Sequence, residues 1–276
     1  MVIYTLFTIK YEMRMNQLKQ LISSEFKKAL SLKFFLLSGA LIFLPIIIVI
    51  PIINGSYLFF EPLEVYSQLL SSSAIALLFP ILLVPLFAGS YANEKKDNFL
   101  LYVKPRVKLT DYVLAKGLVN GIFTIIVAFL MIFIPFLFIE YFDPVLNIIQ
   151  YEKDFYEPVS VGTFEFLAEK SALLYGVLYS LWVAINGALY TTVAYLLSIS
   201  IKNRFVALTI PFLWWFIMNF VTGILGIEAF SPVYSVFPFL ITPQPFWVLC
   251  IPFLVLIVGI VCLLLLIKSK NKVWTE

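Results

Sequence analysis

The chain has 276 residues, of which 62% are apolar and only 13% charged, with 28 phenylalanines and a mean hydropathy of +1.00; soluble domains run at about 45–50% and 25%. A water-soluble globule cannot hide that much apolar surface, which excludes a soluble enzyme. A net charge of +3 without a basic fold excludes nucleic-acid binding, and the absence of histidine removes the commonest metal ligand and general base.

The composition predicts an all-α polytopic membrane protein that uses lipid as its main solvent. The N-terminus does not read as a signal peptide: the first long apolar run starts near Phe34, and no small-residue cleavage site follows it. Residues 14–33 predict an amphipathic helix within a cytoplasmic N-terminal segment, 1–33. Leu18, Leu21, Ile22, Phe26 and Ala29 share one face, and Lys19, Gln20, Ser23, Ser24, Lys27 and Lys28 the other. Such a helix lies in the headgroup plane, here anchored by Lys19, Phe26, Lys27 and Lys28 as an elbow feeding the first span.

Six apolar stretches, at 34–53, 67–90, 113–139, 171–198, 205–226 and 246–267, are long enough to span a bilayer. They make 34–267 a six-helix domain, followed by a tail at 268–276. Lys116, placed in the first turn of the third span, is their single charge. Prolines inside the spans (Pro45, Pro51, Pro80, Pro85, Pro135, Pro211, Pro252) read equally as plain kinks or as hinges.

The loop at about 91–112 is basic, and Glu94–Tyr102 predicts a short helix with Phe99, Leu100 and Leu101 as its apolar part, stopped by Pro105. It could rest on lipid, on the bundle or on another protein. Thr110 or Asp111 is placed to cap the third span. The loop at about 140–170 is acidic, with Phe164, Phe166 and Leu167 suggesting a small interfacial helix. The loop at about 227–245 alternates prolines with aromatics and predicts a re-entrant or interfacial hairpin. Seventeen of the nineteen Lys and Arg flank one side of the spans, so both termini are expected in the cytoplasm of a multi-pass plasma-membrane protein.

Cys250 and Cys262 read as small apolar side chains. No internal repeat is visible. No span holds an Asp, Glu or His in its interior, which argues against intramembrane proteolysis and proton-coupled pumping. No phosphate-binding P-loop occurs, so no ATP is hydrolysed here in that manner, and no metal site is expected. The notable polar residues within the spans are Tyr175, Tyr179, Trp182, Asn186 and Tyr190 along one face of the fourth, Trp214, Trp215 and Asn219 on the fifth, and Asn120 with Thr124 on the third. They suit interhelical hydrogen bonds, a substrate path or a subunit interface.

In layout the chain resembles an ABC-2 type transporter permease, the membrane subunit of an ATP-binding-cassette exporter. The resemblance rests on the basic stretch Met15–Lys33, the loop Glu94…Leu101…Pro105-Arg106…Lys116, the turn Ser198–Leu208 and the broken loop before the last span. The signature that many members carry near the last two spans has no clear copy, and the acidic outer loop is longer than in the most compact members. The resemblance implies that Glu94, Lys95, Lys96, Phe99, Leu100, Pro105 and Arg106 form a coupling helix and its flank against a partner ATPase. It implies a second permease chain, with ATP and Mg on the partner and no cofactor here. The expected function is ATP-driven export; drugs, lipids, polysaccharides and antimicrobial peptides are substrates in the family. A six-span substrate-binding component of an energy-coupling importer and a structural membrane protein are the alternatives.

Overall fold

The computed structural model describes residues 2–53, 59–72, 74–103, 105, 107–146, 148–152, 165–168, 170–238 and 245–272. Among them the regular structure is helical, apart from one isolated bridge between Phe59 and Tyr151. The helices are α1 Val2–Ala29, α2 Leu32–Ile53, α3 Pro62–Ser72, α4 Ala74–Leu83, α5 Ser90–Lys96, α6 Leu100–Val103, α7 Leu109–Leu137, α8 Asp143–Leu146, α9 Glu165–Ala168, α10 Ala172–Ser200, α11 Arg204–Ile224, α12 Pro232–Val236 and α13 Phe246–Lys272. Four stretches are each long and apolar enough to cross a membrane: Thr110–Leu146, Ala172–Ser200, Arg204–Ile224 and Phe246–Ser269. The number rises to six if the bent pairs α1–α2 (70°) and α3–α4 (62°) are one span each.

The bends and breaks have local causes. At the first, Ser31 follows α1, and its hydroxyl accepts from the Phe34 amide at 3.3 Å, capping α2. The expected continuous second span at 67–90 is instead two helices and a turn. The second of them, α4, stops at Leu83 because Pro85 has no N–H to give and its ring crowds the carbonyl of Ile81. The third long helix, α7, starts at Leu109, four residues before the expected 113, with Lys108 in the capping position and no side-chain cap. Thr110 and Asp111 therefore lie in the first turn and do not cap it, and Lys116 sits two turns in. Beyond Pro135 the helix loosens into one π-turn at Phe138–Phe142 before α8 resumes; a missing donor in the ladder is a common cause of such widening. Asp143, buried there, accepts from the Ile149 amide at 3.0 Å and the Tyr151 hydroxyl at 2.7 Å. Burial, followed by the hydrogen bond and charge of Asp143, pushes the Tyr151 phenol up.

At the centre, α10 packs on α4, α7, α11 and α13. Two glycines allow the close approach. A Cβ on Gly176 would lie 2.2 Å from the Phe136 ring, and one on Gly187 2.6 Å from Leu83. Polar pins cross the α7–α10 seam: Asn120 donates to Thr191 at 3.3 Å, Thr124 and Thr191 share a hydrogen bond at 3.1 Å, and Tyr195 donates to the Val113 carbonyl at 2.9 Å. Hydrogen bonds of this kind between Ser, Thr and Asn side chains are common where helices join in apolar bundles. At the acidic end, α9 is a single turn over Phe166 and Leu167, while Phe164 lies outside the described residues.

Within the expected hairpin, Ser231 caps α12, with Pro232 in its first turn. The Ser235 hydroxyl donates to Leu249 at 2.6 Å, while its carbonyl accepts from Trp182 at 2.7 Å. Phe237 is buried edge-on against Phe79, with ring centroids 5.0 Å apart. The segment folds back onto α4, α10 and α13.

Substituting Gly176→Ala should cost about 1–3 kcal/mol, because Phe136 must leave its rotamer. Gly259→Ala, whose Cβ meets nothing within 4 Å, should be neutral. Thermal unfolding of the detergent-solubilised chain compares the two.

Candidate functional site

The strongest concentration of chemistry lies at the lysine-rich end, where α1, α5, α6 and α7 meet. Lys116 and Glu25 are each 1% exposed, and Nζ of Lys116 stands 2.7 Å from Oε2 of Glu25. The same ammonium is 2.9 Å from Oε2 of Glu94. Lys28 makes the second bridge, at 2.7 Å to Oε1 of Glu25 and 3.4 Å to Oε1 of Glu94. The Tyr112 hydroxyl donates to Glu94. Two cations face two carboxylates, so the cluster is neutral as a whole; the burial of Lys116 and Glu25 requires such pairing, while Lys28 and Glu94 form its more open side.

Aromatic faces complete it. The Lys28 ammonium lies 4.7 Å from the centroid of Phe99, and Lys116 lies 5.4 Å from that of Tyr112 and 5.6 Å from that of Phe87. Burial works against the Lys28 ammonium, but the hydrogen bond and charge of Glu25, with the charge of Glu94, outweigh it and hold Lys28 above its ordinary value. Burial and then the charge of Glu94 push the Tyr91 phenol up.

The short helix α5 is held from every side. Glu94 reaches α1 and α7. Tyr91 packs edge-on against Tyr195 of α10, centroids 6.3 Å apart. Asn93 accepts from the Arg204 guanidinium at the start of α11. Gly89 makes room for that arginine: a Cβ there would lie 2.7 Å from Arg204 Nη2.

The coupling residues expected from sequence divide into two groups. Glu94 points inward. Lys95, Lys96, Phe99 and Pro105 are exposed, Leu100 packs beneath them, and Arg106 lies outside the described residues. The single helix expected over Glu94–Tyr102 is two, α5 and α6, broken at Asn98, which has φ 56°. Asparagine tolerates that left-handed conformation better than most residues. Of the expected anchor residues, Lys19 and Lys27 are exposed, Phe26 lies tilted against Phe123 of α7 with ring centroids 4.5 Å apart, and Lys28 belongs to the cluster.

The expected path residues also separate. Tyr179 sits among Tyr66 and Tyr175 in the core. Asn186 donates to the Trp182 carbonyl at 2.9 Å. Tyr190 and Trp215 meet edge-on at 5.1 Å. Trp214 and Asn219 lie toward the outside of α11, 42% exposed and half-buried respectively. Sequence reasoning missed Glu25 and the Asn93–Arg204 contact. Glu25 carried a signal, an acid at helical spacing among Leu18, Leu21, Ile22 and Ala29.

Removing the shared cation with Lys116→Met should destabilise the chain by about 3 kcal/mol, since it leaves the buried Glu25 and the half-buried Glu94 to one ammonium. Adding Glu25→Gln should restore part of that loss, giving a coupling energy of about 1 kcal/mol or more in a double-mutant cycle followed by thermal unfolding.

Comparison with known proteins finds no matching family model, no matching curated protein and no matching solved structure.

Proposed function

We propose that the chain is the membrane-spanning permease subunit of an ABC-2 type exporter, moved by ATP hydrolysed on a separate ATPase chain. The observation that carries this reading is the attachment of α5. One short helix, with Lys95 and Lys96 exposed on its outer edge, is tied by Glu94, Tyr91 and Asn93 to α1, α7, α10 and α11. A displacement imposed on that edge passes directly into the long helices, and a coupling element needs this property. Glu94 acts in this reading as the inner end of the lever and Lys95 and Lys96 as its outer end.

The lysine-rich end is then the cytoplasmic side, in keeping with the charge bias of the loops. ATP and Mg belong to the ATPase partner. A second permease chain completes the transporter, and the exposed apolar faces of α11 and α13 are available to it or to lipid.

Co-expression with an ATPase encoded beside this chain should give a complex that co-purifies. In that complex K95E/K96E should weaken association about ten-fold while leaving the melting temperature of the permease unchanged. A complex equally tight with the reversed charges would remove α5 from the interface. Failure of any such ATPase to bind would remove the proposal itself.

A further inference from the structure

An amphipathic helix at a membrane surface rests on lipid through its apolar face. In α1 that face is already occupied. Phe26 lies against Phe123 of α7, Ala29 is buried, and Glu25 on the same side is held by Lys116. The expected anchoring face rests on protein, so a hold on lipid has to come from another surface.

The 70° corner between α1 and α2 offers one. Leu30, Leu32, Phe35 and Leu36 surround it, and all are exposed, Leu32 by 75% and Leu36 by 67%. From there Leu32, Leu36, Ala40, Phe43, Ile47 and Ile50 recur at helical spacing along α2 as one exposed apolar stripe. At the rise of an α-helix the stripe is about 27 Å long, close to the depth of a bilayer's hydrocarbon core. Lys27 in the last turn of α1 and Lys33 in the first turn of α2 stand on the two arms of the corner, both exposed. Among the described residues neither ammonium has an ion pair or a hydrogen bond, whereas the neighbouring Lys28 is paired with both Glu25 and Glu94. The corner therefore joins two uncompensated positive charges to the top of a lipid-length apolar stripe.

We propose that this corner is a docking site for an anionic phospholipid of the bilayer. Lys27 and Lys33 hold the headgroup phosphate, and an acyl chain lies along the α2 stripe. Charge complementarity selects the lipid: a zwitterionic headgroup brings its own cation to the phosphate and gains less from the two lysines. The inference depends on α2 lying in the membrane and stands whether or not the chain is an exporter subunit.

The test uses the full-length chain in phosphatidylcholine nanodiscs that contain phosphatidylglycerol with a diazirine on one acyl chain. This probe should label the segment 27–50 saturably, with competition by unlabelled phosphatidylglycerol. K27Q/K33Q should raise the half-saturating lipid fraction about twenty-fold, the worth of two lysines at an anionic surface. The melting temperature should not change, because neither lysine has a partner to lose. K202Q/K268Q, which removes the same charge from exposed positions at the lysine-rich end, should leave labelling as it was. Equally strong labelling by diazirine-bearing phosphatidylcholine would overturn the proposal in favour of ordinary lipid contact. Equal weakening by the two double variants would overturn it in favour of diffuse attraction to the lysine-rich end. Displacement of the probe by soluble glycerol 3-phosphate would overturn it in favour of a site for free phosphate.

Discussion

The ammonium of Lys116 is buried in a helix that is otherwise almost wholly apolar, and it is tolerated only because two carboxylates from other helices come to it. That requirement organises the lysine-rich end. Glu25 must be delivered by α1, so α1 has to lie across α7. Glu94 must be delivered by α5, so the chain after α4 has to turn back toward the bundle. Lys28 then balances the second carboxylate. Burying charges of this kind adds little net stability compared with a well-packed apolar contact, but losing one member leaves its partners uncompensated. The cluster is better understood as fixing which helices meet than as a source of folding energy.

The opposite end is assembled by different means. Asp143 ties down the chain beyond the π-turn through an amide and a phenol, and the segment around Ser231 is fixed by hydrogen bonds to α10 and α13. Phe237, Phe79, Trp215 and Tyr190 form a continuous aromatic column from that segment into the middle of the bundle. Edge-on ring contacts fill space and impose geometry at once. Between the two ends, the α7–α10 seam combines glycine-permitted closeness with a few hydrogen bonds. These pin the register of two helices that would otherwise be free to slide.

Much of this fold was legible in the sequence. The long apolar runs gave α2, α7, α10, α11 and α13 nearly in place, because twenty apolar residues in succession have few other structures available. The breaks between helices are less legible. Pro85 reads from sequence as a kink or a hinge within a span, whereas it ends α4. The segment around Asn98 reads from sequence as one helix, whereas the asparagine breaks it. The site was half legible. Lys116 stood out as a charge in an apolar run, and Glu25 stood on an apolar stripe, yet neither observation names the other as partner across 91 residues of chain. The Asn93–Arg204 contact left no pattern at all, since an asparagine and an arginine at exposed positions are unremarkable until the fold brings them together. The direction of Glu94 was likewise a tertiary matter: α5 could have rested on lipid, on another protein or on the bundle, and the residues facing Lys116 and Tyr195 rest on the bundle.

These different attachments also say where the molecule can give. The α7–α10 pair is joined by buried hydrogen bonds and close glycine contacts, and α1 and α5 are joined to α7 by charges that cannot separate without cost. They form one unit. By contrast α13 presents most of its surface outward, and the groove beside Trp214 separates it in part from α10 and α11. Its first turns are attached by the Ser235–Leu249 hydrogen bond and by the ring of Phe253 against Trp182, and its far end by Ile267, buried in the cluster that holds Tyr91, Tyr112 and Tyr195. A helix held near both ends is least supported in between, along the groove where Val255 and Gly259 face Trp214 and Pro211 across open space.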